Sequence, residues 1–115
     1  MSAARFGFLP TRSSDWVGWR LLTTNNRDLG RSSTVYPDHE GARLAAQWVQ
    51  EHVADMRITL VRSSSIGWRW RMLAGDTIVA VASRDYHRRL QAERSAAVML
   101  TLLPRAEPLA LGLRS

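Results

Sequence analysis

The sequence predicts a two-layer α/β domain of the α+β type, with tandem β-β-β-α(-β) repeats sharing one antiparallel sheet and both helices on one face. Three observations predict it: an internal register of fifty residues, strand and turn signals that recur in each half, and an alanine-spaced segment that closes each half. Arg12-Ser13-Ser14 recurs as Arg62-Ser63-Ser64, and at the same offset Ser33 matches Ser83, Tyr36 matches Tyr86, Ala42 matches Ala92 and Ala46 matches Ala96. Trp19-Arg20 matches Trp70-Arg71 one residue further on, which requires one extra residue early in the second copy. The repeats run over about 5–54 and 55–115 within a single domain, 1–115. Either half alone would bury too little surface to be more than marginally stable, so the copies are expected to share one core.

In the first copy Phe6 to Thr11 is a short apolar stretch ended by polar residues. Trp16 to Thr24 is aromatic, aliphatic and β-branched, which suits a pleated strand. Asn25-Asn26-Arg27-Asp28 turns the chain, since asparagine and aspartate tolerate left-handed backbone and bond their own main chain. Leu29 to Val35 returns as a third strand, weakened by Gly30. Pro37 and Asp38 stand where helices begin, and Ala42, Ala45, Ala46, Val49 and Val53 share a face beyond them.

The second copy repeats the plan, with a strand at Arg57 to Arg62, a loop at Ser63 to Gly67 and a strand at Trp68 to Leu73. Ala74-Gly75-Asp76 turns the chain into Thr77 to Ala82, a run whose composition predicts burial on both faces. Asp85 is placed to cap a helix reaching about Leu103, with Ala92, Ala96, Met99 and Leu103 inward. Pro104 stops it. The apolar tail, Pro108 to Leu113, reads as a last strand docked on the sheet, or else as a frayed terminus.

Bulk properties narrow the function classes. The 115 residues contain no cysteine, which removes disulfides and thiolate metal sites. No apolar run approaches the roughly 18 residues of a membrane span, and no signal-peptide core precedes the first strand, so a cytoplasmic protein is expected. All sixteen basic residues are arginine, against ten acidic ones, for a net charge of +6. Codon bias accounts for arginine exclusivity without any function. Guanidinium groups nevertheless grip phosphate or carboxylate through paired hydrogen bonds.

The residues offer little for catalysis. His39, His52 and His87 form no His-Glu-x-x-His spacing, so no metal is expected. There is no Gly-x-Ser-x-Gly elbow and no glycine-rich phosphate loop, so no cofactor and no enzymatic activity are expected.

The stretch Gly67-Trp68-Arg69-Trp70-Arg71-Met72, a short turn, Ile78-Val79-Ala80, then Ser83 and Tyr86 ahead of an alanine-spaced helix resembles the YegP-like family of small bacterial and archaeal proteins of unknown function. The resemblance covers essentially the whole chain as two tandem copies. It implies β-β-β-α-β units that share a sheet and exchange their final strands, as a homodimer in single-copy members and within one chain here. The first copy departs from the family pattern in its longer turn, Asn25 to Asp28, and in polar Arg31 and Ser32 where the second copy has Val81 and Ala82. The resemblance implies no catalytic or binding residues.

Alternation in the strand at Trp68 to Met72 places Trp68, Trp70 and Met72 on one face and Arg69 and Arg71 on the other. Val17, Trp19 and Leu21 take the inward role in the first copy, with Arg20 outward. With both helices on one side, Arg20, Arg69 and Arg71 would stud an open sheet face. The expectation is a monomeric, non-enzymatic interaction module with an unidentified macromolecular partner. The alternative is a nucleic-acid- or ribosome-associated protein that holds RNA or another polyanion on those three arginines. A third class, a protein partner, needs an exposed apolar patch, for which Leu44 and Trp48 are the candidates.

Overall fold

A computed structural model describes residues 4–12 and 15–109. Its elements are β1 (Arg5–Pro10), β2 (Val17–Leu22), β3 (Asp28–Ser32), α1 (His39–His52), β4 (Arg57–Arg62), β5 (Trp68–Ala74), β6 (Thr77–Ala82) and α2 (Arg89–Leu102), with a short 3-10 turn after each helix. The strands form one six-stranded sheet in the order β1-β2-β3-β6-β5-β4, and every neighbouring pair is antiparallel. The fold is α+β, with β3 and β6 side by side at the centre.

Local chemistry explains most boundaries. The β2–β3 turn closes through Asn26, whose φ of 64° is left-handed, and the β5–β6 turn through Gly75 at 61°, as the turn residues predict. Asp38 caps α1 by accepting the Gly41 N–H at 2.7 Å. The expectation for Asp85 fails. Helix α2 begins later, at Arg89, and Gln91 reaches back to accept the Arg88 N–H at 3.0 Å. Asp85 lies four residues before the helix, too far to meet its free N–H groups. The third strand of the first half also ends earlier than predicted. Beyond Ser32 the chain leaves the sheet, and Tyr36 exchanges two backbone hydrogen bonds with Val17 (2.7 and 2.8 Å). Tyr86 does the same with Trp68 in the second half, at 2.7 Å each way.

The core lies on one face of the sheet. Trp19, Leu21, Trp70 and Met72 from the strands join Ala46 and Val49 of α1 and Ala96 and Met99 of α2 in a single buried cluster. The inward phase expected for Val17, Trp19 and Leu21 and for Trp68, Trp70 and Met72 is the one observed; all are buried except Trp68, which is half-buried against the guanidinium groups of Arg62 and Arg89. Burial of Thr77 to Ala82 on both faces is not observed. Only Ala80 and Ala82 are fully buried, and Val81 sits on the opposite face, half-exposed, because that face carries no helix among the described residues. Gly30 does not simply weaken its strand. A Cβ there would meet the Trp70 ring at 2.6 Å, so the bare backbone makes room for the indole. Each half also carries a bulge in its third strand, at Leu29 and Val79, and both residues pack against the core.

The two outer edges differ. Beyond α2, Glu107 bridges Arg5 in parallel, donating to the Ala4 carbonyl and accepting from the Phe6 N–H at 2.9 Å each. This bridge falls one residue before the strand expected at 108–113; Pro108 and Leu109 form no strand, although Leu109 packs into the core, and 110–113 lie outside the described residues. No strand among the described residues pairs with the outer edge of β4.

Trp19 and Trp70 are both 0% exposed, so truncating either to alanine is expected to cost about 3–5 kcal/mol, read from urea midpoints. Midpoints within experimental scatter of the parent would place these rings outside the core.

A candidate anion-binding sheet face

Strand register builds the face opposite the helices. Gly7 pairs with Arg20, Arg20 with Arg31, Arg31 with Val81, Val81 with Arg71 and Arg71 with Thr59. Directly paired residues point the same way, so these six form one lateral row across all six strands. Arg20 and Arg71, expected on this face, therefore share a row, and Arg69 follows two residues along β5. Sequence reasoning missed Arg31, which it took as a departure from pattern. Its neighbours Gly30 and Ser32 are small because they lie on the crowded inner face, and that alternation was the available signal.

Arg20 and Arg31 stand directly opposite each other, an arrangement of like charges that would be destabilising alone. Asp28 relieves it. One carboxylate oxygen lies 3.7 Å from Arg20 and 3.3 Å from Arg31, and the other accepts a short hydrogen bond from the Ser83 hydroxyl. The Nε groups of Arg20 and Arg31 are buried without a partner. Arg69 is held by Asp85 at 2.8 Å. Arg71 is exposed and forms no ion pair among the described residues. It borders a shallow hollow of about 400 Å³ with Arg62, Arg69 and Asp85. The three expected arginines thus share one face but differ in availability, from bridged Arg20 through paired Arg69 to open Arg71.

Asp85 titrates below the ordinary carboxylate range, first because Ser63 hydrogen-bonds to it and then because Arg69 does. The folded chain therefore holds this proton less tightly than the unfolded chain. The stabilisation is complete above the unfolded value of about 4 and is lost as pH falls through the lower folded value.

The interior polar chemistry separates the halves. Ser95 on α2 accepts from both Trp70 Nε1 and the Tyr86 hydroxyl at 2.9 Å. Fifty positions earlier the helix has Ala45, and Trp19 Nε1 is buried without a partner. Burial pushes the Tyr36 hydroxyl up from its usual value. Leu44 and Trp48 are 50% and 44% exposed, and the Trp48 ring stacks on His52 with centroids 4.3 Å apart. No three His, Asp or Glu side chains among the described residues come together as a metal site would require. No helix is long and apolar enough to cross a membrane.

This architecture, two helices on one antiparallel six-stranded sheet, is the YegP-like fold. The protein of unknown function YegP from E. coli, solved by solution NMR, is similar with a TM-score of 0.71 and 13% identity, over 94% of this chain and 91% of that one. The UPF0339 protein from Shewanella oneidensis, also an NMR structure, gives 0.69 and 11% over 90% and 86%. At these identities the likeness is one of fold. No family model and no curated protein matches the sequence.

Two outcomes follow from this geometry. Replacing Ser95 with alanine strands a buried indole N–H and is expected to cost about 1–3 kcal/mol by urea unfolding. In an NMR pH titration Asp85 should show a midpoint below that of a free aspartate, and Arg69→Gln should move it upward. An unchanged midpoint in that variant would mean that Arg69 does not act on the carboxylate.

Proposed function

We propose that the chain is a non-enzymatic binding module, two copies of one β-β-β-α unit (5–54 and 55–115) joined in a single domain, and that its arginine face holds the backbone of single-stranded RNA. The duplication reading is supported by the fifty-residue register together with the same element order in each half. On this reading the protein works as a cytoplasmic monomer, with the second copy supplying what a partner subunit would supply to a single copy.

The observation that carries the binding reading is the lateral row Arg20, Arg31, Val81, Arg71, on a face where Asp28 balances two of the three guanidinium groups and none balances Arg71. Guanidinium groups neutralise phosphates and release condensed counterions, which supplies affinity without reading sequence. Trp19 and Trp70 are turned into the core, so the face offers no aromatic platform for stacking bases. Binding should therefore be nearly indifferent to sequence. A second reading rests on exposed Leu44 and Trp48 of α1, an apolar pair that suits a protein partner.

The test is fluorescence anisotropy with short single-stranded RNA across a salt series. Replacing Arg20, Arg69 and Arg71 with glutamine should flatten the salt slope by roughly two units, at about 0.7 per phosphate contact. The control replaces Arg43, Arg89 and Arg105, which lowers net charge equally and leaves the sheet untouched. Equal losses in the two triple variants would reduce the effect to generic charge attraction and leave the protein-partner reading standing.

A further inference from the structure

The two halves each form a cleft between their helix and the central strands, and the clefts have diverged in chemistry. In the first half a space of about 340 Å³ is lined by Tyr36, Ala45, Trp48, Ile78 and Val79, with no charged residue. Its counterpart in the second half is about 770 Å³, lined by Tyr86, Ser95 and Val98 and by four arginines: Arg27, Arg31, Arg84 and Arg94. One carboxylate, Asp28, shares that lining and is already bridged to Arg20 and Arg31. Arg27, Arg84 and Arg94 have no ion pair among the described residues.

The contrast argues against background composition. Residues fifty positions away from the four arginines are Thr77, Val81, Thr34 and Leu44. A genome-wide preference for arginine over lysine would act on both halves alike and cannot concentrate four cations in one of two matched clefts. Their mutual repulsion has a cost that a bound anion would offset.

We propose that the second-half cleft is a binding site for a small phosphorylated molecule of mononucleotide size. The volume lies within the usual range for small-molecule sites, about 300–1,000 Å³. Several unpaired guanidinium groups suit a group carrying more than one negative charge, which a phosphomonoester supplies and a carboxylate does not. Leu29, Val98 and the Tyr86 ring give apolar walls for a planar or apolar body. The floor is ordered beforehand: the Tyr86 hydroxyl is tied to Ser95, and the Arg84 guanidinium lies 5.5 Å above the Tyr86 ring. The cleft shares Arg31 and Asp28 with the sheet face, but Arg27, Arg84 and Arg94 belong to it alone, so the site does not rest on RNA binding there.

Isothermal titration with AMP and with pyrophosphate tests the site, on the intact chain and three double variants. Saturable one-site binding of AMP is expected. Arg84→Gln with Arg94→Gln should weaken it at least about tenfold, the effect of losing hydrogen bonds to a charged group. Arg69→Gln with Arg71→Gln on the sheet, and Arg43→Gln with Arg89→Gln on the helices, should leave it within about twofold. Thermal melts of each variant check that folding persists. Absence of saturable AMP binding, or equal loss in the helix control, overturns the proposal. A further arm compares RNA with and without a 5′-phosphate. If only the phosphorylated RNA responds to the cleft variant and AMP does not bind, the occupant is a nucleic-acid end and the small-molecule site is refuted. RNA affinity lost only in the Arg20, Arg69, Arg71 variant bears on the sheet face alone.

Discussion

The structure depends on a short seam. Strands β3 and β6 join the two halves of the sheet through three paired positions, Gly30 with Ala82, Arg31 with Val81 and Ser32 with Ala80. On the inner side those positions are glycine, serine and alanine, and Trp70 crosses from the second half to lie against Gly30 in the first. Small residues at the seam and a large ring above it form one device. The ring supplies apolar area that a three-pair ladder cannot, and the missing side chains let it reach across. Leu21 and Met72 flank the same seam from β2 and β5, which places the most completely buried residues around the join.

The outer side of that seam obeys different rules, because no helix among the described residues packs on it and its residues answer to solvent and charge. Here the two halves of the sheet differ. Arg31 faces Val81 across the central ladder, and Asp28 gathers Arg20, Arg31 and Ser83 around one carboxylate with no like cluster at Ile78. The helices show the same freedom one layer further in, where Ser95 satisfies Trp70 and Tyr86 and Ala45 satisfies nothing. The two halves are alike in packing and differ in hydrogen bonding and charge.

The strands apart from the end of β3, the inward phase of β2 and β5, and both turns were legible in the sequence, because alternation and turn chemistry are local. Trp19 and Trp70 could be placed from their neighbours alone. The start of α2 was not legible, since Asp85 looks like a cap until Arg69, sixteen residues away, takes its carboxylate. Gly30 was misread for a similar reason. Its value lies in a ring forty residues further along the chain, and propensity reports only the local cost. The arginine face was legible as alternation at Arg69 and Arg71, but the inclusion of Arg31 required the register between β3 and its neighbours. The cleft was not legible at all, because Arg27, Arg84 and Arg94 come from three separate stretches that only the fold brings together.

The uneven edges have a consequence for assembly. At β1 the backbone groups beside Arg5 and Phe6 are already occupied by Glu107, so a foreign strand would have to displace the chain's own end. At β4 no strand among the described residues pairs with the outer edge, and the strand begins and ends in arginine. Arg57 shares the outer face with Thr59 and Arg62 the inner face with Trp68, so each face of this edge ends in a guanidinium group. Charged side chains on an edge strand oppose the addition of a further strand, and edge strands are commonly guarded in this way. The β4 guard is electrostatic and so weakens in concentrated salt, whereas the β1 edge is occupied by backbone hydrogen bonds that do not depend on side-chain charge.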